Sequence, residues 1–125
     1  MENKCWLFVI NELRHLTSIK KNEESWWCVS KGCNNGDSAF LYKAKVGIIC
    51  HFKVIELIES NSHCESYGMK TAKIKILKIF DPPIKSNELK SINAIRSEKF
   101  MRRNFQSKEF NIINNDVIKL ILSIR

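Results

Sequence analysis

The sequence has little that would loosen or interrupt a chain: four glycines and two prolines among 125 residues. That scarcity argues against a flexible or disordered protein. No glycine-rich phosphate loop, GxSxG elbow or paired-carboxylate motif is present, so nucleotide hydrolysis and glycosidase chemistry have no foothold. Long apolar runs are missing as well. Stretches such as VGIIC at 46–50 fall far short of a bilayer span, which removes membrane integration from the reading. The N-terminal residues lack the basic start, apolar stretch and small-residue cleavage site of a signal peptide. The five cysteines, Cys5, Cys28, Cys33, Cys50 and Cys64, form an odd set. Together these features predict a cytoplasmic protein with reduced thiols.

Acid is the other scarcity: 13 Asp and Glu stand against 21 Lys and Arg, for a net charge of +8. The excess is shared equally between the chain up to Phe80 and the chain beyond it, so no basic tail explains it. A basic folded surface suits a polyanion such as nucleic acid, through counterion release and steering. Lysine serving only to solubilise the surface is the plainer alternative. An apolar fraction of 44% with 27% charged residues is enough to bury a real core, and the length predicts one domain over 1–125.

CWLFVI at 5–10 reads as a strand buried on both faces, and ELRHLTSIKK as a short surface helix. SWWCVS at 25–30 is a second strand, followed by KGCNNGD, where Asn35-Gly36 suits a positive-φ turn. Two strands follow, broken near Lys43 to Lys45, the second running as far as Ile58. TAKIKILKIF alternates apolar Ala72, Ile74 and Ile76 with Lys73 and Lys75, which predicts a half-exposed strand whose outer face is basic. Asp81-Pro82-Pro83 is expected to end it. SNELKSINAI is a short helix capped by Ser86 or Asn87, and SEKFMRRNFQSKEFNII reads as irregular. NNDVIKLILSIR closes the chain as a helix capped by Asn114 or Asn115 and packed on the sheet.

Cys28-x4-Cys33, Cys50-His51 and His63-Cys64 are local donor pairs. Their spacing is unlike zinc knuckles, and adjacent donors on a strand point to opposite faces, so buried thiols are favoured over a metal site. Nothing local marks a cysteine as a nucleophile activated by His15, His51 or His63. Basic and aromatic residues remain. Trp6, Trp26, Trp27, Tyr42, Tyr67 and Phe105 are candidates for stacking on bases, and Lys31, Arg102 and Arg103 for holding phosphates. Core packing competes for each of these aromatics, and claims Trp6, Phe8, Phe40 and Phe52 most strongly.

The order of the pieces adds a further indication. WLFVIN (Trp6 to Asn11), WCVS (Trp27 to Ser30), GDSAFLY (Gly36 to Tyr42), a basic strand ending in PPI, then RRNFQ and NIINNDVIKLIL, together resemble the EVE domain of the PUA-like superfamily. The resemblance covers nearly the whole chain and rests on the ordered set, since no single motif is specific. It implies an α+β fold: a PUA-like, partly open mixed β-barrel of about five to six strands, flanked by short helices and closed by a C-terminal helix. It also implies kinship with YTH readers of methylated adenosine, and a non-enzymatic module that binds DNA or RNA by drawing a modified base into an aromatic pocket, with no cofactor.

On this resemblance Trp27 is the stacking wall, while Cys28 and Ser30 follow it toward the base edge. Asn11 is an edge reader whose amide both donates and accepts. The loop that usually supplies a second wall offers Tyr67 and His63, with no tryptophan, a departure from the family pattern. Arg102, Arg103 and Asn104 occupy a segment near the ligand. Trp26 is left to cover the opposite side of the sheet or its adjoining helix. The alternatives are a regulatory domain that binds a small ligand or peptide and, last, a cysteine-dependent hydrolase.

Overall fold

The computed structural model describes residues 3–10, 23–58, 64 and 68–125. The expected helix at 12–21 lies outside them. Among the described residues six strands form one mixed sheet: β1 (Cys5–Ile10), β2 (Glu24–Val29), β3 (Ser38–Lys43), β4 (Gly47–Ile58), β5 (Lys70–Ile84) and β6 (Glu109–Ile112), in the order β2-β5-β4-β3-β1-β6. Helices α1 (Ser86–Lys90), α2 (Asn93–Arg96), α3 (Lys99–Arg102) and α4 (Asn115–Ser123) complete it. The sheet is open, with β2 and β6 at its two ends. β1 runs parallel to β3 and antiparallel to β6, so its apolar run is flanked on both sides. All other pairings are antiparallel.

Strand alternation divides the apolar residues between two cores. Trp6, Phe8, Val29, Ala39, Leu41, Phe52, Val54, Ala72, Ile74 and Ile76 form an inner cluster on one face. Leu7, Phe40, Tyr42, Ile48, Phe80, Ile84 and Phe110 form the other, which Leu89, Ile95, Phe100, Met101, Val117 and Ile121 of the helices cover. The register of the long β4–β5 hairpin shifts at three places. Such irregularities bend and twist a sheet, which here leaves a curved, unclosed barrel.

The expected stop at Asp81-Pro82-Pro83 is corrected: β5 continues to Ile84 through a cis Asp81-Pro82 peptide. Cys50 pairs with Ile79 and Ile48 with Ile84, so the prolines fall in a stretch between paired positions where no ladder donor is required. Gly47 makes the close approach possible, because a Cβ there would lie 2.3 Å from the Ile84 carbonyl oxygen. Asn35-Gly36 turns with φ +91° at Gly36, as its residue types predict. The stretch read as one helix is two, α1 and α2, and Lys85 stands at the N-cap in place of Ser86 or Asn87. The segment read as irregular contains α3 and β6. Asn114 caps α4, accepting from the Asp116 amide at 2.9 Å.

Asp37 joins the start of the sheet. Its carboxylate is buried and accepts from the Lys4 amide at 2.9 Å, the Asn34 amide at 3.0 Å and the Trp6 indole Nε1 at 3.1 Å. Its own carbonyl accepts from the Val54 amide at 2.7 Å. One residue thereby ties β1, the 30–37 turn and β4 together. Removing the carboxylate strands the buried Trp6 indole donor and leaves the part-buried Lys4 and Asn34 amides to water, and a buried donor left unpaired costs about 1–3 kcal/mol. Asp37→Ala is expected to lower unfolding free energy by about 3 kcal/mol, read as a reduced urea midpoint at unchanged slope, and Asp37→Asn to cost less because one acceptor oxygen remains.

Candidate functional site

Antiparallel pairing sets β2 against β5 with Trp26 opposite Lys73, Trp27 opposite Ala72 and Cys28 opposite Thr71. Ala72 belongs to the inner cluster, and Trp27 packs half-buried against that cluster. Trp26 takes the other face and is 55% exposed. Val29 then returns to the inner cluster. After it, Ser30 is buried and its hydroxyl accepts from the Gly32 amide at 3.1 Å, so it fastens the turn that carries exposed Lys31. A Cβ at Gly32 would sit 3.0 Å from the Trp6 ring, which holds this turn close over the inner cluster.

Cys28 is half-buried and forms a disulfide with Cys64 across 36 positions, with Cα atoms 5.5 Å apart. This corrects the reading of five reduced thiols. An odd count conceals a pair whose members are 36 positions apart and meet only in the fold. The bridge fastens that segment to β2 at the residue following Trp27, and the Met69 amide donates to the Cys64 carbonyl at 3.0 Å beyond it. Asn11, His63 and Tyr67 lie outside the described residues.

The remaining candidates belong to the helix side of the sheet. Tyr42 is buried, and its ring lies flat on Phe105 at 3.7 Å between centroids with planes 2° apart. Burial pushes its hydroxyl pKa up, while a hydrogen bond with Ser86 works against that. Asn104 and Phe105 both adopt positive φ, 49° and 56°. For bulky Phe105 this is a costly backbone state, held by packing on Tyr42 and Phe100. Arg102, Arg103 and Asn104 are exposed around this turn. Arg103 and Lys99 line a groove of about 390 Å³ with Phe100, Phe110, Asn111 and Ile113, running along β6. The candidates thus fall into two groups: Trp27, Cys28, Ser30 and Lys31 follow one another on β2 and its turn, whereas Tyr42, Arg102, Arg103 and Asn104 accompany the helices.

The thiols of Cys5, Cys33 and Cys50 are free and buried. Burial pushes them up to about 11, 12 and 12 respectively, so none is a ready nucleophile. Among the described residues no group of three or more His, Cys, Asp and Glu is placed to hold a metal, and no helix is long and apolar enough to cross a membrane. His51 packs its ring on Phe40 at 4.6 Å and is held down to about 4 by burial, then by nearby Lys78. Its Nε2 has no hydrogen-bond partner among the described residues.

The sheet order, the helix layer and the unclosed curve of the sheet make up a fold that solved structures share with this chain. No protein-family model matches the chain, and no curated protein matches it. Solved structures share its fold at low identity. Rpa0253 from Rhodopseudomonas palustris is 15% identical with a TM-score of 0.67, covering 94% of this chain and 90% of its own. Human THYN1 in complex with DNA containing 5-methylcytosine is 13% identical with a TM-score of 0.65, covering 98% and 97%. ASCH from Zymomonas mobilis is 13% identical with a TM-score of 0.54, covering 98% and 96%.

Two measurements check this chemistry. Native protein at pH 8 is expected to take up no alkylating reagent without reductant, to gain two labels after mild reduction, and to gain five only when unfolded and reduced, read by intact mass. For His51, the unfolded chain binds a proton near pH 6.5 that the folded chain refuses until about pH 4. Its contribution to stability is therefore present above pH 6.5, falls as pH is lowered through that window and levels off below it. His51→Leu is expected to flatten that part of the stability profile in denaturant titrations.

Proposed function

We propose that this chain is a non-enzymatic nucleic-acid-binding module that recognises a modified base in DNA or RNA, with Trp27 as a wall of the base pocket. The observation that carries the reading is the placement of Trp27: half-buried, packed against the inner cluster of an open barrel, and followed by a residue bridged to the neighbouring segment. A half-buried indole supported from behind is a rigid stacking surface. Base stacking on such a surface is worth about 1–3 kcal/mol, comparable with the cost of extruding a base. A methyl group on the base adds apolar area that an aromatic wall buries. The net charge of +8 supplies attraction for the phosphates.

The fold shared with human THYN1, itself seen with 5-methylcytosine-containing DNA, supports the reading. In it Lys31 meets phosphate at the mouth of the pocket. Asn11 and Tyr67 stay in it as base-edge reader and second wall, on the strength of the family resemblance. Ser30 contributes through the turn that it fastens, and Cys28 through its bridge. Tyr42 has one face covered by Phe105, so in this reading it supports Phe105 and stacks on no base. Arg102, Arg103 and Asn104 become accessory phosphate contacts on the helix side.

A second reading, a domain that binds a small ligand or peptide, is favoured by the groove along β6, where Lys99 and Arg103 stand beside Phe100, Phe110 and an Ile113 that is 85% exposed.

Labelled oligonucleotides, plain and base-modified, single-stranded and duplex, test both. Affinity is expected to fall steeply with salt. Trp27→Ala should abolish the preference for the modified base while leaving weak, salt-dependent binding. Equal loss of both on a folded variant would remove Trp27 from the role of selective wall. Failure of every oligonucleotide to bind at low salt would leave the β6 groove as the better account.

A further inference from the structure

Trp26, the other half of the doublet, lies on a second surface that the base pocket does not use. Alternation turns it away from the inner cluster, and its register partner Lys73 lies between Ala72 and Ile74, both of which face that cluster. Lys75 follows two residues later on the same face, opposite Glu24 on one side and Lys53 of β4 on the other. β2, β5 and β4 therefore present Trp26, Lys73, Lys75 and Lys53 together across about 10 Å of sheet. The helix layer packs on the other end of this sheet, against residues such as Phe80, Ile84 and Phe110.

Two features of this surface are unfavourable for an isolated molecule. The first is a tryptophan left 55% exposed. The second is a like-charge pair: Lys53 and Lys75 are direct neighbours on adjacent strands, an arrangement that repels. Neither forms an ion pair among the described residues, whereas Lys73 is engaged by Glu24 at 3.5 Å. Glu56 lies opposite Lys73 and Glu24 opposite Lys75, but the Glu24 carboxylate pairs with Lys73, so the two acids gather at that lysine and Lys53 has only Lys75 beside it on β5. A phosphate placed between the two lysines relieves their repulsion, and a base laid on the indole covers its apolar face. A sheet face that combines stacking aromatics with lysines suits unpaired strands, whose bases are free to stack.

We propose that the outer face of β2, β5 and β4 is a second contact surface for single-stranded nucleic acid. Trp26 stacks one base, and Lys53 and Lys75 hold the adjoining phosphates, while the inner site engages the modified base. The proposal rests on the reading of the protein as a nucleic-acid binder, and it assigns the two neighbouring tryptophans to two different tasks.

The test uses the full chain and a labelled single-stranded oligothymidylate of about 12 nucleotides, plus a matched oligonucleotide bearing a modified base. Trp26→Ala is expected to weaken both about tenfold and to leave the ratio between them unchanged, the opposite of the Trp27→Ala pattern. The double variant Lys53→Gln/Lys75→Gln should flatten the dependence of log affinity on log salt by about 0.7 for each lysine. These side chains lie outside both cores, and circular dichroism checks that the variants keep the parent fold. Parental affinity and salt slope in both variants, with the parent binding normally, would overturn the surface and leave the pocket standing. Equal loss of affinity of Trp26→Ala for polyglutamate and for the oligonucleotide would also overturn it, assigning the face to an acidic protein. A parent chain that binds no oligonucleotide at low salt would overturn the surface and the pocket together.

Discussion

Asp37 is where this architecture is drawn together. A parallel pair such as β1 and β3 cannot be closed by a hairpin, and the chain between them must leave, build β2, and return in register. The return is fixed at Asp37, whose carboxylate takes the amide of Lys4 just ahead of β1, the indole of Trp6 within it and the amide of Asn34 in the turn. Through its carbonyl the same residue holds Val54 of β4. A buried carboxylate is costly unless satisfied, and three donors satisfy this one. Trp6 gains a fixed orientation from the contact, and its ring sets the floor on which the Ser30–Cys33 turn rests. The position of Trp27, a few residues upstream of that turn, follows from the same anchoring.

With that end fixed, the two faces of the sheet acquire different duties. The helix face is filled by large side chains from both layers, down to the flat stack of Tyr42 on Phe105. Here the aromatics are consumed by packing, and the charges of Arg102 and Arg103 ride on a turn whose backbone is held by Phe105 beneath it. The inner face is an open curve, with Trp27 at its margin instead of its centre. This difference between the faces separates Trp27, half-buried at the edge of the inner cluster, from Tyr42, buried under Phe105.

Much of this order can be read from residue pattern because alternation is local. The Ala72, Ile74 and Ile76 stripe, with Lys73 and Lys75 opposed to it, names both faces of β5 before any pairing is known. The Asn35-Gly36 turn and the Asn114 cap are equally local, since each depends on one residue type meeting one backbone need. The features that escaped depend on partners distant in sequence. Cys28 and Cys64 stand 36 positions apart and meet only in the fold. The strand through Pro82 and Pro83 is permitted only by where β4 pairs with it, and β6 hides in a basic stretch whose apolar alternation, Phe110 and Ile112, spans too few residues to stand out. Asp37 was visible only as part of GDSAFLY, because its partners are two backbone amides and an indole that spacing does not bring together.

The tryptophan doublet shows how a local rule and a distant constraint combine to place two neighbouring side chains. Alternation alone requires that Trp26 and Trp27 diverge, and is silent on which is buried. Pairing with β5 decides it: Ala72 is small and faces the inner cluster, so the residue opposite it fits there with its indole partly covered, whereas Lys73 belongs to solvent and takes Trp26 with it. The disulfide then adds a third term. Cys28 shares the face of Trp26 by alternation, so the bridge secures the segment after β4 to β2 without occupying the face that Trp27 uses. Strand β2 thus carries, in three consecutive residues, an exposed aromatic, a supported aromatic and a covalent anchor. The orientation of Trp27 therefore follows from the β ladder, with the bridge at the next residue as a second restraint on the same strand.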